Sequence, residues 1–440
     1  MTPAPPHVVI VGGGFAGLWA ARALRRAPVR ITLLDRGNHH LFQPLLYQVA
    51  TAGLSAPDIA APLRQILRRQ RNVQVQMATV SRVHADAREV ELEGAAGARR
   101  LGYDYLLLAS GATHAYVGNE HWAAHAPGLK TLDDALELRR RLLLAFERAE
   151  AATDPDERDA WLSFAIIGGG PTGVELAGTL AEIARHTLED EFRLIDPARA
   201  RVRLIEAGPR VLSSFPEDLS HKARLQLEKL GVEVQTGAAV EDITAEGYRR
   251  DGRFVPARTV VWAAGVAASP LGRCLDVPLD RAGRVKVRPN LSVPGHPEIF
   301  VAGDLAALDR PDGRPVPGIA PAAKQMGRHV ARTIRARLAG HAGEGERFVY
   351  RDYGNLATIG RMAAVVDLGA WRFSGVLAWW FWLVAHLFFL IGFRNRSVVL
   401  LNWSVAYWTH QRAARIILGG DDRAAGPGPD DAADDAADPR

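Results

Sequence analysis

Three glycines at fixed spacing in residues 8–18, which read VVIVGGGFAGL, form the first chemistry-bearing pattern of the chain. Gly12 would allow a tight turn off an apolar strand, and Gly14 would let the backbone approach a pyrophosphate. Gly17 would let the following helix pack closely on the strand. The N-terminus of that helix offers free N–H groups and a positive dipole end to phosphate oxygens. The spacing therefore predicts a dinucleotide-binding turn.

A second apolar run, residues 31–34, ends at Asp35. This is the spacing at which an acid after the second strand accepts a hydrogen bond from an adenosine ribose. The order of strand, glycines, helix, strand and acid argues against a tight turn that binds nothing. The motif by itself does not distinguish FAD from NAD.

The same pattern occurs again in residues 164–176, which read FAIIGGGPTGVEL. Gly168, Gly170 and Gly173 stand there in the same register after an apolar strand. The chain therefore contains an internal repeat and two predicted dinucleotide sites. Two nucleotide sites in one chain suggest electron transfer from NADH to a flavin.

The acid of the second copy is Glu206, which follows the apolar run at residues 202–205. A carboxylate at that position favours NADH because it would repel the 2′-phosphate of NADPH. Arg210 lies close enough in sequence to leave NADPH open as an alternative.

Three further apolar strands, at residues 103–108, 260–262 and 299–302, run into small residues. Small residues let backbone come close to a bound cofactor. Ligands of parallel sheets bind at the carboxyl ends of the strands, so the residues just after these strands become candidates. The candidates are Ser110, Gly111, Ala264, Gly265, Gly303 and Asp304.

The elements around these turns predict an α/β protein in which each unit has a parallel sheet. Residues 129–150 predict a helix capped by Thr131, and residues 73–83 predict strand. Residues 153–159 are polar and predict a connection. Residues 38–62 are loop-like yet apolar, so they either cover a ligand or form an ordinary packed connection.

The chain of 440 residues is long enough for two or three domains. Its formal net charge is +5, but residues 1–420 carry 52 basic against 42 acidic side chains and precede an acidic tail. Cys274 is the only cysteine, which excludes an internal disulfide and a cysteine-ligated iron–sulfur or CxxC zinc site. We expect it to be a buried structural thiol. No secretory signal opens the chain, so we expect it to stay in the cytoplasm.

Residues 370–420 hold six of the ten tryptophans, five arginines and no acid, a composition typical of a membrane interface. Residues 376–393 are apolar except for His386, which we expect to be structural, and residues 398–418 are amphipathic. We favour two helices lying in the interface over a true span or a buried dimer contact. Residues 421–440 are rich in Ala, Asp, Pro and Gly, and we expect disorder there.

Several short segments together carry a family resemblance. They are FQPLLYQVA at 42–50, ASGATHAYVG at 109–118, VAGD at 301–304, GNLATIGR at 354–361 and GFRNR at 392–396. With them, the chain resembles the flavoproteins that have two dinucleotide-binding domains, within the pyridine nucleotide oxidoreductase superfamily. Among these it resembles the type II NADH dehydrogenases, which are NADH:quinone oxidoreductases that pump no protons. The resemblance spans most of residues 7–418.

The resemblance implies that the first glycine motif binds FAD and the second binds NADH. The implied FAD contacts are Gly12, Gly14, Phe15, Ala16, Gly17, Asp35, Asn38, His39, Val80, Ser110, Gly111, Gly303, Asp304 and Lys324. The implied NADH contacts are Gly168, Gly170, Thr172, Gly173, Glu206, Ala264 and Gly265. No metal site is expected.

Two residues match catalytic positions of the family. Glu175 matches a glutamate placed near the nicotinamide and the flavin, although it could be a plain helix acid. Gln325 matches the second glutamine of an Ala-Gln-x-x-x-Gln pattern at the flavin face. Pro321 replaces the first glutamine and cannot offer a side-chain hydrogen bond, which puts a quinone-headgroup role of that position in doubt.

The implied fold is two Rossmann-like dinucleotide-binding domains, with the NADH domain inserted into a discontinuous FAD domain, plus C-terminal amphipathic membrane-attachment helices. The expected segments are 1–125 and 289–345 for the FAD domain, 126–288 for the NADH domain, 346–420 for membrane attachment and 421–440 for a disordered acidic tail.

The implied activity is transfer of hydride from NADH to FAD and of two electrons to a membrane quinone, at the cytoplasmic face of the cell membrane. Expected partners are that quinone, an anionic lipid surface bound through the C-terminal helices, and a second copy in a homodimer, but no nucleic acid. Sulfide:quinone oxidoreductases and disulfide reductases need redox cysteines that Cys274 alone cannot supply. A soluble NADH:ferredoxin-type reductase and a redox sensor that binds both cofactors without turnover remain alternatives.

Overall fold

The first sheet is built around the first glycine motif. A computed structural model describes residues 4–93, 98–341, 346–391, 393–409, 412 and 414–417. The sheet has six strands in the order Ser292–Val293, His296–Val301, Tyr105–Leu108, His7–Val11, Arg30–Asp35 and Val73–Met77. All neighbouring pairs are parallel except the first. Strands from both ends of the sequence share the sheet, so the first unit is discontinuous.

The helix that follows the first motif, Phe15–Ala23, is here called the first glycine helix. It packs on the central helix, Ala320–Leu338. A side chain at Gly327 would overlap the carbonyl oxygen of Ala16, so glycine is what lets the two backbones approach. The central helix thereby joins the end of the first unit to its beginning.

The second sheet repeats this arrangement. Its four strands are all parallel, in the order Val232–Thr236, Arg201–Glu206, Ser163–Ile167 and Thr259–Trp262. The second glycine helix, Pro171–Glu182, follows its glycine motif and continues into a π-helical turn at Ile183–Thr187. With two parallel, helix-flanked sheets, the predicted α/β class is confirmed.

The terminal region is a sheet followed by two helices. The antiparallel strands are Asn355–Gly360, Ala363–Asp367 and Arg372–Ser374. The first terminal helix is Val376–Phe389, and the second terminal helix is Phe393–Thr409. Within the described ranges, no helix combines the length and the apolar character needed to cross a membrane. The predicted disordered tail lies outside the described residues.

This terminal region shares a core with the second unit. A side chain at Gly178 of the second glycine helix would overlap the carbonyl oxygen of Ile359, so that helix lies directly on the terminal sheet. One contiguous cluster of buried side chains joins Leu46, Val174, Ile359 and Trp382. The terminal sheet and helices therefore fold as part of the body of the protein.

Further helices and strands complete the described part of the chain. The remaining helices are Gln43–Leu45, Leu46–Ala50, Ala56–Ile59, Leu63–Leu67, Glu120–Ala124, Leu132–Ala151, Pro155–Trp161, Pro197–Arg199, Glu217–Lys229, Pro270–Leu275 and Gly303–Leu305. The remaining strands are His39–Leu41, Ala60–Pro62, Thr79–His84, Glu89–Glu93, Arg99–Gly102, Ala112–His114, Asp242–Ile243, Gly247–Arg250, Arg253–Pro256, Val266–Ala268, Val285–Lys286 and Ala306–Ala307. Ala112–His114 pairs antiparallel with Val266–Ala268, which ties the two units together.

Several local predictions are wrong, and one is confirmed. Residues 38–62 contain a strand pair and short helices rather than a loop, and the strand predicted over 73–83 breaks at Ala78 into two sheets. Most of the predicted connection at 153–159 is helical, in Pro155–Trp161, because proline is favourable in the first turn of a helix. The Thr131 cap is confirmed, since its side chain accepts a hydrogen bond from the Asp134 N–H.

Candidate functional site

The first glycine loop is held by the acid that the sequence predicts for ribose. Asp35 accepts hydrogen bonds from the N–H of Gly13 at 2.6 Å and of Gly37 at 2.7 Å. Gly12 adopts φ +105°, a conformation in which a side chain is strained, and its N–H donates to the end of the neighbouring strand. The carboxylate therefore fixes the turn at the carboxyl edge of the first sheet.

The second glycine loop has the same pattern of hydrogen bonds. Glu206 accepts from the N–H of Gly169 at 2.6 Å and of Gly208 at 2.7 Å. Gly168 has φ +111° and also donates to the neighbouring strand. The repeat predicted from the sequence is thus a repeat of hydrogen bonds as well as of residue types.

Both loops leave room for a pyrophosphate at the same position. A Cβ added at Gly14 or at Gly170 would meet nothing within 4 Å, so both positions border open space. A Cβ at Gly17 or at Gly173 would overlap the carbonyl oxygen of the first glycine in the same motif. One glycine of each motif therefore leaves space for a ligand and another permits close helix packing, as a dinucleotide site requires.

Some of the other predicted FAD residues lie next to the first loop. Ser110 lies against Gly12, and its buried hydroxyl has no hydrogen-bond partner, so it is available to a ligand. Gly303 lies against Ala16 at van der Waals distance. Two more predicted FAD residues are adjacent in sequence to these: Phe15, which begins the first glycine helix and precedes Ala16, and Gly111, which follows Ser110.

Three predicted FAD residues have less direct placements. Asn38 and His39 bond to each other at 3.2 Å near the surface, and Val80 lies in a strand beside a register shift. The neighbouring histidine, His40, reaches the loop instead: its Nδ1 lies 2.9 Å from the Gly13 carbonyl oxygen. Burial lowers the pKa of His40 to about 4, so it is neutral and donates through Nδ1.

The predicted NADH residues meet at the second loop. The backbone of Ala264 lies against Gly168, so the small-residue turn after the last strand closes one side of the loop. Gly265 accepts a hydrogen bond from the N–H of Ala115 in the first unit at 3.3 Å. Thr172 is exposed in the first turn of the second glycine helix. These placements fit a dinucleotide that lies over the helix N-terminus.

Asp304 has a cationic partner that the sequence reasoning missed. Lys130 Nζ lies 3.5 Å from Asp304 Oδ2, and both side chains are mostly buried. Lys130 is one of five lysines in an arginine-rich chain, and it directly precedes the Thr131 cap. This combination could have marked it in the sequence as a candidate site residue. The pair places one positive and one negative group at the carboxyl edge of the first sheet.

Glu175 lies on the buried side of the second glycine helix. It is enclosed by protein, and this desolvation raises the pKa of its carboxyl well above the usual value, against a hydrogen bond to the backbone at Thr358. The short helix Leu46–Ala50, which carries Tyr47, packs on the second glycine helix, and burial together with the charged form of Glu175 raises the pKa of the Tyr47 phenol. The Tyr47 hydroxyl accepts a hydrogen bond from Gln48 at 2.9 Å. Burial therefore disfavours the charged form of the Glu175 carboxyl.

Gln325 is engaged with backbone. Its Nε2 donates to the Arg351 carbonyl oxygen at 2.9 Å, and its Oε1 accepts from the Arg351 N–H at 3.0 Å. Pro321 lies in the first turn of the central helix, as its missing N–H allows. The assignment of Gln325 to flavin or quinone contact remains a prediction.

Lys324, predicted at the FAD site, lies between two aromatic rings. Its ammonium is 4.9 Å from the ring centre of Trp19 and 5.3 Å from that of Phe389, so it joins the first glycine helix to the first terminal helix. Burial, and then the cations of Arg328 and Arg22, hold its pKa below the usual range. Its assignment to FAD remains a prediction.

The described residues contain no group of three or more His, Cys, Asp or Glu side chains that could hold a metal ion. Cys274 is half-buried, not fully buried as expected, and lines a small cleft with Arg82, His84 and Arg273.

Comparisons with known proteins identify the family. Residues 6–327 match the pyridine nucleotide-disulphide oxidoreductase family, and residues 353–409 match the NDH2 C-terminal domain. The type II NADH:quinone oxidoreductase Ndh of Mycobacterium tuberculosis is 48% identical over 94% of this chain and 92% of its own length. The chain belongs to the type II NADH:quinone oxidoreductases. NdhA of the same organism is 45% identical over 93% of this chain and 89% of its own length.

Solved structures agree at the level of fold. NDH2 from Plasmodium falciparum in complex with NADH superposes with a TM-score of 0.86, covering 94% of this chain and all of that one at 19% identity. The sulfide:quinone oxidoreductase of Aquifex aeolicus reaches 0.70 at 19% identity, covering 89% and 92%. The type II oxidoreductase fold is thus shared with enzymes of different chemistry, so function must be argued from the site.

Glu206→Gln should weaken NADH binding and reduce the preference over NADPH. The amide keeps one acceptor oxygen, so one of the two loop hydrogen bonds is lost, and repulsion of a 2′-phosphate disappears. A hydrogen bond to a charged group contributes about 1.5 kcal/mol, so we expect KM for NADH to rise about tenfold. Steady-state kinetics with NADH and NADPH measure both effects. Glu233→Gln, on the adjacent strand, is the control, and an unchanged preference in Glu206→Gln would contradict this role.

Glu175→Gln should change the pH dependence of stability. The folded protein keeps the Glu175 proton above pH values at which the unfolded chain releases it, so stability falls as pH rises, by up to about 1.4 kcal/mol per pH unit. Glutamine lacks this slope. We therefore expect the Tm of the variant minus the Tm of the parent to increase as the pH is raised from 5 to 8. A constant difference in Tm would show that Glu175 is ionised when folded.

The same variant tests the catalytic assignment. Unchanged kinetics with both NADH and quinone in Glu175→Gln would remove Glu175 from the list of catalytic residues, whatever its effect on stability.

Proposed function

We propose that this chain transfers the reducing equivalents of NADH through FAD to a membrane quinone. The single observation that carries the proposal is the pair of glycine loops, each with an open pyrophosphate position and a carboxylate that fixes its turn. One loop serves FAD and the other serves NADH. FAD, when bound, supplies the chemistry that joins a two-electron donor to a quinone.

The residues of this chain bind and orient the two cofactors. The N–H groups at the start of the first and second glycine helices would face the two pyrophosphates, and Asp35 and Glu206 would face the riboses. Lys130 and Asp304 offer a fixed pair of charges at the edge of the first sheet. Burial raises the pKa of Glu175, which makes it a candidate proton donor for quinone reduction, a reaction that consumes two protons.

The terminal helices provide the attachment to a lipid surface. On the first terminal helix the exposed apolar side chains recur every three or four residues and form one stripe, called here the apolar stripe. Its members are Leu377, Trp380, Phe381, Val384 and Phe388. An exposed apolar face of this size indicates a membrane or a protein partner. Exposed Arg372 and Arg396 favour anionic lipid.

We place this surface on the cytoplasmic face of the cell membrane, with peripheral attachment. A homodimer is also proposed; a dimer contact through the terminal region is the alternative to its attachment to lipid. Both assignments rest on the composition of residues 370–420 and on family resemblance.

A steady-state assay of the purified protein with NADH and a short-chain quinone tests the function. We expect bound FAD, consumption of NADH that depends on quinone, and no turnover after the flavin is removed. Bound flavin without turnover would support the redox sensor, and transfer only to a ferredoxin would support a ferredoxin-type reductase. Either outcome would overturn the proposal.

A further inference from the structure

Arg412 lies beyond the second terminal helix and enters the body of the protein. One guanidinium nitrogen donates to the Thr51 carbonyl oxygen at 3.1 Å, and the other lies 3.4 Å from Glu182 Oε2. The side chains of Arg412 and Glu182 are only 13% and 16% exposed. Glu182 also accepts a hydrogen bond from the N–H of Arg361 in the turn after the first strand of the terminal sheet. This cluster joins four parts of the chain that are distant in sequence.

Such an ion pair is sensitive to loss of one partner. Removing water from two charges is costly, and their attraction offsets that cost only if the remaining hydrogen bonds are made. Here they are made, because Glu182 has Arg361 and Arg412 has Thr51 as additional partners. A buried Glu182 without Arg412 would be an uncompensated charge.

The contact with Thr51 lies at one end of the short helix Leu46–Ala50. Thr51 caps that helix, with its N–H and its hydroxyl both donating to the Tyr47 carbonyl oxygen. A cation at a helix C-terminus is favourable because the carbonyl groups there carry partial negative charge. The second terminal helix contacts the same short helix: Trp403 Nε1 donates to Gln48 Oε1 at 2.7 Å. Two side chains from the terminal region thus hold the helix that carries Tyr47.

We infer that Arg412 is a positioning residue that fixes Tyr47 beside Glu175 and so couples docking of the terminal segment to proton handling at that carboxyl. Through Thr51 it holds the short helix of the first unit, and through Glu182 it holds the second glycine helix, which carries Glu175 about two turns earlier. This inference rests on the proposed function, because it concerns the protons that quinone reduction needs.

The charges around the cluster support this coupling. Facing Arg412 and Glu182 are Tyr47 on the short helix, His186 in the π-helical turn, Arg361 in the turn after the first terminal strand and Arg415 three residues further on. Glu175 on the second glycine helix faces Tyr47. Burial raises the pKa of Glu182, and Arg412 is the largest opposing influence. Arg412 also lowers the pKa of Tyr47, against burial and the charge of Glu175. Loss of Arg412 therefore changes the electrostatics of Tyr47 and of Glu182, which lies on the same helix as Glu175.

The test uses the full-length flavoprotein and a double variant, Arg412→Met with Glu182→Gln. The double variant leaves no unpaired buried charge, so we expect it to fold with its flavin and a Tm near that of the parent. We expect its kcat with a short-chain quinone to fall about tenfold and the pH profile of kcat to shift, because small misplacements of reacting groups can cost up to ~100-fold.

Two single variants complete the design. Arg412→Lys keeps the charge and should restore part of kcat and most of the parental pH profile. Arg224→Gln removes a cation whose partner is Glu228, 2.8 Å away on the same exposed face of the helix Glu217–Lys229, and should leave kcat and the pH profile unchanged.

A double variant with parental kcat and pH profile would overturn the inference and leave Arg412 a purely structural residue. The same holds if Arg224→Gln shifts the profile as far as the double variant. A parent that binds flavin but does not reduce quinone would contradict the proposed function itself, which keeps the two failures distinct.

Discussion

Gly14→Val should yield a folded protein that purifies without flavin and has no NADH:quinone activity. A Cβ at this position meets no protein atom within 4 Å, so the fold tolerates the side chain. The branched side chain would fill the space that the pyrophosphate needs. Loss of two hydrogen bonds to a charged group, at about 1.5 kcal/mol each, weakens binding on the order of 100-fold. The flavin absorbance per chain measures the loss of the cofactor, and the Tm of the apoprotein shows that the variant is folded.

Gly170→Val is the matched variant in the second loop, where the Cβ position is equally open. Here we expect flavin content to equal that of the parent while KM for NADH rises on the order of 100-fold. The pair therefore separates the two sites within one fold. Loss of flavin in Gly170→Val with retention in Gly14→Val would mean that the two loops have been assigned in the wrong order.

Leu377→Glu combined with Phe388→Glu should release the protein from anionic lipid vesicles. The two side chains are 75% and 69% exposed, and eleven residues of helix place them on one face. Burying each in the interface contributes about 1.5 kcal/mol or more, so loss of both lowers the partition coefficient on the order of 100-fold. Flotation with vesicles containing phosphatidylglycerol measures it, and NADH oxidation with a water-soluble quinone should persist.

Val117→Glu provides a control for this pair because Val117 is 80% exposed and lies outside the apolar stripe. We expect it to float as the parent does. If the double variant also floats like the parent, the apolar stripe does not face lipid, and a dimer contact becomes the better assignment. A fall in molar mass of the double variant in solution would then identify that contact.

The two glycine loops could be predicted from the sequence because their chemistry is local. Each consists of one strand, one turn, one helix and an acid at the end of the next strand, and glycine spacing reports all of these at once. The position of each acid after the second strand of its unit predicts a contact with a ribose. The structure adds that Asp35 and Glu206 also fasten the turn, a role that follows from backbone geometry and that residue types alone do not reveal.

Partners that are distant in sequence could not be predicted. Lys130 and Asp304 are separated by 174 positions, and Arg412 and Glu182 by 230. No periodicity links such residues, since only the packing of complete elements brings them together. The failures in secondary structure were local instead: alternation continues through Ala78, where the chain passes from one sheet to another.

The close approach of Gly178 to Ile359 determines how the protein can be engineered. Because the second glycine helix rests on the terminal sheet, truncation before residue 353 would uncover apolar core side chains of the second unit and expose an aggregation-prone surface. A water-soluble version of the enzyme therefore has to be made by resurfacing the apolar stripe while the terminal sheet stays in place. The apolar stripe is the outer surface of a domain whose inner side belongs to the protein core.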